Sequence, residues 1–386
     1  MDHTIWEYIF STFGFLGMDH LNVCMILVSL FLSFLAIVKK YEPLLLLPLA
    51  FGILIANIPA ARLSAYDVGG LMNFLYQGIR LVIFPPMIFL CIGTMTDFGP
   101  LIASPRNALI GIGGQLGIFV ALGASLLLGN LFAMFIPGFE GFTLKEAAAI
   151  GIIGSSDGPT SIYTATRLAP DLLPSIAIAA FSYMALVPFI QPPLMKALTT
   201  EKERVIVMPE PKKVTQEQKI LFPIIMTIFT LLIFPAASSL IAMLMLGNLI
   251  RESGVTERFV RTLQNELLNI LTLLVGVSIG SSATAERFLQ PETLIIIFVG
   301  LLAFAFGTIG GILTAKFLCK VTGGKVNPLI GNSGVSAMPM AARISQRMGQ
   351  RYNPQSHLLM HAMGPIVSST IGSAMIAGVF ISIFGK

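Results

Sequence analysis

Apolar runs alternate with short polar breaks along nearly the whole chain. Most of the runs approach the length of about 20 apolar residues that a helix needs to cross a bilayer. Leu21 to Val38 predicts a first span, closed by Lys39 and Lys40. Leu44 to Ile58 is a shorter run, and a half-polar segment continues through Gly69 and Gly70 to Arg80. Leu81 to Met95 carries Pro85 and Pro86, whereas Asn107 to Pro137 is long enough to cross with tilt. After "GFEGFTLKEAAA" and "GIIGSSDGPTSIY" comes Leu172 to Leu198, which contains Pro188, Pro192 and Pro193. The second half offers Ile220 to Ile250, the charged "RESGVTERFVRTLQNE", then Leu268 to Gly280 and Leu294 to Leu318. A polar, glycine-rich stretch, "GGKVNPLIGNSGVSAMPMAARISQRMGQRYNPQ", precedes a last apolar run that opens with "HLLMHAMGP". Gly and Pro inside such runs are tolerated only where other helices, side chains or water satisfy the freed backbone groups.

These patterns predict an all-α, polytopic integral membrane protein whose first half, 21–198, and second half, 219–386, are joined by a charged linker at 199–218. The linker, "TTEKERVIVMPEPKKVTQEQ", is expected to be a solvated loop. Residues 1–20, aromatic and mildly acidic, are expected to form an interfacial lead-in retained in the mature protein. The halves carry a faint likeness. "IIGSS" at 152–156 matches "LIGNS" at 329–333, and "MALVP" ending at Pro188 matches "HAMGP" ending at Pro365; 331 minus 154 and 365 minus 188 both give 177. Interrupted segments in corresponding positions of two halves point to inverted repeats whose broken helices meet near the bilayer midplane around a substrate site.

Composition agrees with a bilayer as solvent. The 386 residues are 55% hydrophobic and 11% charged, with a mean hydropathy of +0.85, whereas a soluble chain carries about 25% charged residues. The net charge of +5 fits Lys and Arg retained in cytoplasmic loops and calls for no nucleic acid partner. Cys24, Cys91 and Cys319 form no CxxC pair and suggest neither a disulfide framework nor a metal site. A P-loop is absent, which argues against direct ATP hydrolysis.

The chemistry concentrates in the two breaks. Asp at the centre of a membrane helix costs about 2.5 to 3.5 kcal/mol on insertion scales, and such residues mark ion or proton paths. A surface loop in which Ser156 or Asp157 caps a helix begun by Pro159 is the plainer alternative. Ser155, Ser156, Asp157, Thr160 and the carbonyls freed at Gly158-Pro159 offer oxygens that suit a hard cation, and the second break adds Asn327, Asn332, Ser333 and Ser336, all neutral. One carboxylate among neutral oxygens is balanced by one Na+ or one proton. Arg343, seven residues beyond Ser336, reads equally as a topology anchor beside Arg347 and Arg351 or as a clamp for a carboxylate. Tyr183 is a lone phenol in an apolar span, either packed or an ion ligand. His357 and His361 have i, i+4 spacing, but no Glu motif or Cys supports zinc there.

With "GSSDGPTSIY", "NPLIGNSGVSAMPMAAR" and "LLMHAMGP" in this order, the chain resembles, over nearly its whole length, the beta subunits of the biotin-dependent, sodium-pumping decarboxylases of oxaloacetate, methylmalonyl-CoA and glutaconyl-CoA. The resemblance implies a bacterial inner-membrane subunit that decarboxylates carboxybiotin and couples CO2 release to Na+ export, with counter-movement of H+. It implies as partners a carboxyltransferase subunit, a biotin carrier subunit or domain and a small single-span membrane subunit, in a homo-oligomeric assembly. Biotin is then supplied in trans. The family's essential aspartate falls on Asp157, its tyrosine on Tyr183, and its polar run on Asn327, Gly331, Ser336 and Arg343. Asp157, Tyr183 and Arg343 are thereby expected to be catalytic. Arg343 and Asn327 would meet carboxybiotin, and Asp157, Ser156, Thr160, Asn332 and Ser336 would hold Na+. Where the family more often has Gly-Ala before Asp-Gly-Pro-Thr, this chain has Ser155-Ser156, which adds a hydroxyl. Its short length favours a CoA-ester branch. A Na+-coupled secondary transporter without enzyme chemistry is the competing reading.

Overall fold

The computed structural model describes residues 13–40, 42–210 and 213–385, so most of the N-terminal lead-in lies outside the described residues. Those residues are helical and contain no strand. In chain order the principal helices are α1 (His20–Ile37), α2 (Pro43–Ala56), α3 (Leu71–Arg80), α4 (Phe84–Met95), α5 (Pro105–Ala133), α6 (Leu144–Gly151) and α7 (Gly158–Leu168). There follow α8 (Leu173–Leu198), α9 (Gln216–Ile233), α10 (Ser238–Glu252), α11 (Glu257–Ser282), α12 (Pro291–Val321), α13 (Met340–Tyr352) and α14 (Leu359–Phe384). Among the described residues six helices are long and apolar enough to cross a bilayer, and two bent pairs raise the number to eight. One pair is α3 and α4, bent by 66° where Pro85 and Pro86 open the second helix; the other is α8, bent by 59°. The apolar run from Ile220 to Ile250 divides into α9 and α10 at Phe234-Pro235, because proline disfavours helical backbone in the residue before it.

The helices pack as a peripheral set and a central set. In the periphery α2 lies parallel to α11 and α4 parallel to α10, each pair drawn together by facing glycines. A Cβ on Gly280 would stand 2.1 Å from the Leu49 carbonyl oxygen, and one on Gly247 would stand 2.0 Å from that of Leu90. In the centre α5 and α12 run antiparallel and cross at their middles. Two hairpins press onto that crossing from opposite faces of the molecule. The first, α6 and α7, enters from the face where Phe142 packs on Gly129 late in α5. The second, the 3-10 segment Pro328–Gly334 and α13, enters from the face that carries the linker. At the crossing there is no room for a side chain: a Cβ on Gly114 would meet the Gly334 oxygen at 1.7 Å, one on Gly154 the Gly117 oxygen at 2.3 Å, and one on Gly311 the Gly331 oxygen at 2.2 Å.

Most described residues of the linker are exposed, as its composition suggests, but it is anchored to the helices at Thr199 and Arg204. Arg204 is only 8% exposed; it donates to the Thr199 hydroxyl at 2.9 Å, the Tyr352 hydroxyl at 3.0 Å and the Lys196 and Thr199 carbonyls, and its guanidinium lies over the Tyr352 ring. Asn327, at the start of the second hairpin, donates to the Arg204 and Ile206 carbonyls, while Asn353, at its end, donates to Val205. An arginine can be buried here because the last carbonyls of α8 have no helical partners and the dipole of that helix end favours a cation. Both ends of the second hairpin are thus bound to one strap.

Packing at the crossing has a direct test. Gly114→Ala should destabilise the detergent-solubilised protein by about 1–3 kcal/mol, the usual range for overpacking. Gly123→Ala on the same helix, where nothing lies within 4 Å of the added Cβ, should leave the thermal midpoint unchanged or raise it, because Ala is favoured over Gly by about 0.8–1 kcal/mol. Equal midpoints for the two variants would rule out the proposed close approach.

Candidate functional site

The first hairpin turns at Ser156, whose φ of 57° puts it in the left-handed region that few non-glycine residues occupy. Asp157 then caps α7. Its Oδ1 accepts from the Thr160 amide at 3.2 Å, and Pro159 stands in the first turn, where an N–H has no helical partner to lose. Cap and buried carboxylate, alternatives on the sequence, are therefore combined in one residue. Asp157 is 4% exposed; its Oδ2 accepts from Ser373 Oγ of α14 at 2.8 Å, and no ion pair among the described residues reaches it. A carboxylate buried without a counter-charge is costly, so such a group takes up a proton or a cation.

The second hairpin arrives at the same place. The Ser336 amide donates to the Ser155 carbonyl at 2.8 Å, so the two tips are joined through their backbones. Ser336 Oγ donates to Ser369 Oγ of α14 at 3.1 Å, and Gln115 of α5 donates to the same Ser369 hydroxyl at 3.0 Å. Three buried oxygens here have no hydrogen-bond partner: Ser156 Oγ, Thr160 Oγ1 and Gln115 Oε1. Among the described residues no cluster of His, Cys, Asp and Glu could hold a transition metal. A single carboxylate with neutral oxygens fits a hard monovalent cation.

Of the residues singled out by sequence, Asp157, Ser155, Ser156, Thr160 and Ser336 come together at the tips. The others are placed differently. The Asn332 side chain is committed inside the second hairpin, to Gln191 Oε1 at 2.9 Å, the Ala341 carbonyl at 3.0 Å and the Ser345 hydroxyl, and Ser333 joins the same group through Ser345. Asn327 holds the strap, and Gly331 packs against the backbone of α12. Tyr183, 3% exposed, donates to the Ile297 carbonyl of α12 rather than to Asp157. Arg343 is exposed in the first turn of α13, where its charge acts on Glu42 at the start of α2. His357 is exposed and His361 buried, so they do not form a pair of ligands.

Sequence reasoning missed Gln115, Ser369 and Ser373. The last two lie in "VSSTIGSAM", four residues apart and hence one turn apart on α14. That spacing was available as a signal, but small hydroxyl residues in a membrane helix usually bond their own backbone, which makes them inconspicuous.

Residues 21–384 match the protein family described as the Na+-transporting oxaloacetate decarboxylase beta subunit. The chain is 53% identical over 373 residues to the methylmalonyl-CoA decarboxylase subunit beta of Veillonella parvula, covering 97% of this chain and 96% of that one. It is 50% identical over 372 residues to the glutaconyl-CoA decarboxylase subunit beta of Acidaminococcus fermentans, covering 96% of each. The oxaloacetate decarboxylase beta chain of Klebsiella pneumoniae is 45% identical over 423 aligned positions, covering 95% of this chain and 96% of that one.

The bond from Ser373 to Asp157 should appear as an energetic coupling. In a double-mutant cycle on thermal stability, Asp157→Ala and Ser373→Ala are expected to be non-additive by about 0.5–3 kcal/mol, as for residues in contact. Strict additivity would show that the two groups do not interact.

Proposed function

The chain belongs to the family of beta subunits of Na+-transporting decarboxylases, and we propose that within it the two hairpin tips form the site where Na+ and H+ exchange while carboxybiotin loses CO2. It is a multi-pass bacterial membrane protein, the membrane decarboxylase and Na+ translocase component of a multi-subunit enzyme. A transporter devoid of enzyme chemistry is not favoured by this membership. One observation carries the proposed site: Asp157, 4% exposed, has hydroxyls and an amide for neighbours and no cationic partner among the described residues, at the point where two broken segments meet.

In this reading Asp157 is protonated when the site is empty of Na+. Na+ arriving from the linker face is received by the carboxylate with Ser156, Thr160 and Ser336 beside it, and the displaced proton leaves. Carboxybiotin, brought by a biotin carrier, loses its N–C bond; the electron pair stays on the ureido nitrogen, which takes the proton, and CO2 departs. Arg343, exposed in the first turn of α13, is available to orient the incoming carboxylate. Outward movement of one positive charge costs roughly 2.3 kcal/mol per 100 mV of membrane potential, which CO2 release must offset.

The two halves are proposed to be inverted repeats, which suits access alternating between the faces. In support, the hairpins enter from opposite faces, and the parallel pair α2 with α11 in one orientation has its counterpart in α10 with α4 in the other. A carboxyltransferase, a carrier and a small single-span subunit are the proposed partners, with several copies of this chain per assembly. For the upstream acid we favour a CoA ester, because identity to the CoA-ester relatives is higher, 48–53% against 43–46% for the oxaloacetate relatives.

Asp157→Asn is expected to abolish both Na+-dependent decarboxylation and Na+ uptake by inverted vesicles; retained Na+ stimulation would refute the ligand role. The complex purified through this chain should decarboxylate methylmalonyl-CoA or glutaconyl-CoA in preference to oxaloacetate, as read by CO2 release from each. Activity confined to oxaloacetate would overturn the assignment of branch.

A further inference from the structure

Two cavities outside the ion site adjoin at Pro105. One, of about 790 Å3, is an apolar groove along the side of the molecule, walled by α5, α9 and α14 through residues such as Ile112, Phe119, Met226, Ile371 and Val379. The other, of about 830 Å3, opens at the linker face and is polar, with Arg106, Asn107, Lys325 and His361 in its walls. His361 and Ser368 are seven residues apart on α14 and so share a helix face; the polar cavity is continued by the groove down that face.

We propose that the composite site binds one anionic phospholipid, its head group in the polar cavity and an acyl chain in the groove. Arg106 and Lys325 are exposed, and neither is in an ion pair among the described residues. Asn107 is only 5% exposed as a residue, and it lines the cavity. An amide open to the cavity beside two cations is complementary to the oxygens and negative charge of a phosphate head group. Glu210, from the linker, forms another wall and leaves the charge balance of these three side chains positive. Basic cavities between helices at the membrane boundary are a recurrent form of head-group recognition.

Dimensions agree with this occupant. From Ser368 to Val379 the groove follows eleven residues of α14, about 16 Å at 1.5 Å per residue, close to half of the about 30 Å hydrocarbon thickness. Gln115 and Ser368 are polar residues in the groove wall, and the Gln115 side chain holds Ser369 of the ion-site network. A bound chain would cover Gln115 and keep water from the back of that network.

Native mass spectrometry on the complex solubilised from bacterial membranes tests the proposal. The wild-type chain should retain phosphatidylglycerol through delipidating washes, and Arg106→Gln with Lys325→Gln should weaken retention about five-fold per charge removed. Ile376→Trp, which narrows the groove, should also displace the lipid, while an unchanged helical circular-dichroism spectrum and an unchanged elution volume show that the variant is folded. In nanodiscs of phosphatidylcholine, added phosphatidylglycerol should raise the wild-type thermal midpoint and saturate near one equivalent. A wild-type complex that retains no phosphatidylglycerol, retention unaffected by the variants, or a midpoint that does not move would overturn the proposal. A partner helix cross-linked to a cysteine at Ile376 in place of lipid would do so as well. None of these results depends on whether Asp157 carries Na+.

Discussion

The backbone bond from the Ser336 amide to the Ser155 carbonyl is the contact on which the rest of the centre depends. In hydrocarbon every peptide group needs a partner, and a helix that stops halfway across leaves several without one. Here each of two interrupted segments supplies a partner to the other. The meeting is possible only because glycines line the crossing of α5 and α12: the tips approach to distances at which one methyl group would overlap a carbonyl. Absence of side chains therefore creates the space in which Asp157, Ser156 and Thr160 are gathered.

Polar groups around this centre divide into committed and uncommitted ones. Asn332 bonds both Ser345 within the second hairpin and Gln191 of α8, while Asn327, Arg204 and Tyr352 fix the base of that hairpin. Ser156, Thr160 and Gln115 instead retain buried oxygens with nothing to bond. Satisfied networks make rigid walls, and the unmatched oxygens mark where a guest can be received. The peripheral pairs, α2 with α11 and α4 with α10, contribute the surroundings against which the central set is supported.

The chain's membrane character and its broken helices were legible in the sequence, because hydropathy and the Gly-Pro interruption act locally, whereas the cap stayed open between Ser156 and Asp157 and stood as an alternative to burial. The placement of Asn332 was not legible. An amide in a polar break looks like a ligand until the fold shows Gln191, far away in sequence, occupying its hydrogen-bonding groups. Ser373 was overlooked for the reverse reason, since its importance comes from a carboxylate 216 positions away. In the linker the charges indicated solvation, which holds for most of its described residues, but the anchoring of Arg204 on helix-end carbonyls and an aromatic face is encoded by no local pattern. Arg343 kept both of its readings in sequence, and the fold leaves it exposed, with its charge acting on Glu42.

The strap makes the two hairpins mechanically unequal. Its grip on Asn327, Tyr352 and Asn353 closes the second hairpin into a ring, whereas no comparable belt joins the ends of the first hairpin among the described residues. A hairpin held at its base as well as at its tip has less freedom to shift than one held by its tip and its packing. Any relative movement of the two halves therefore falls more readily to the unbelted hairpin, and the belted one serves as its fixed support.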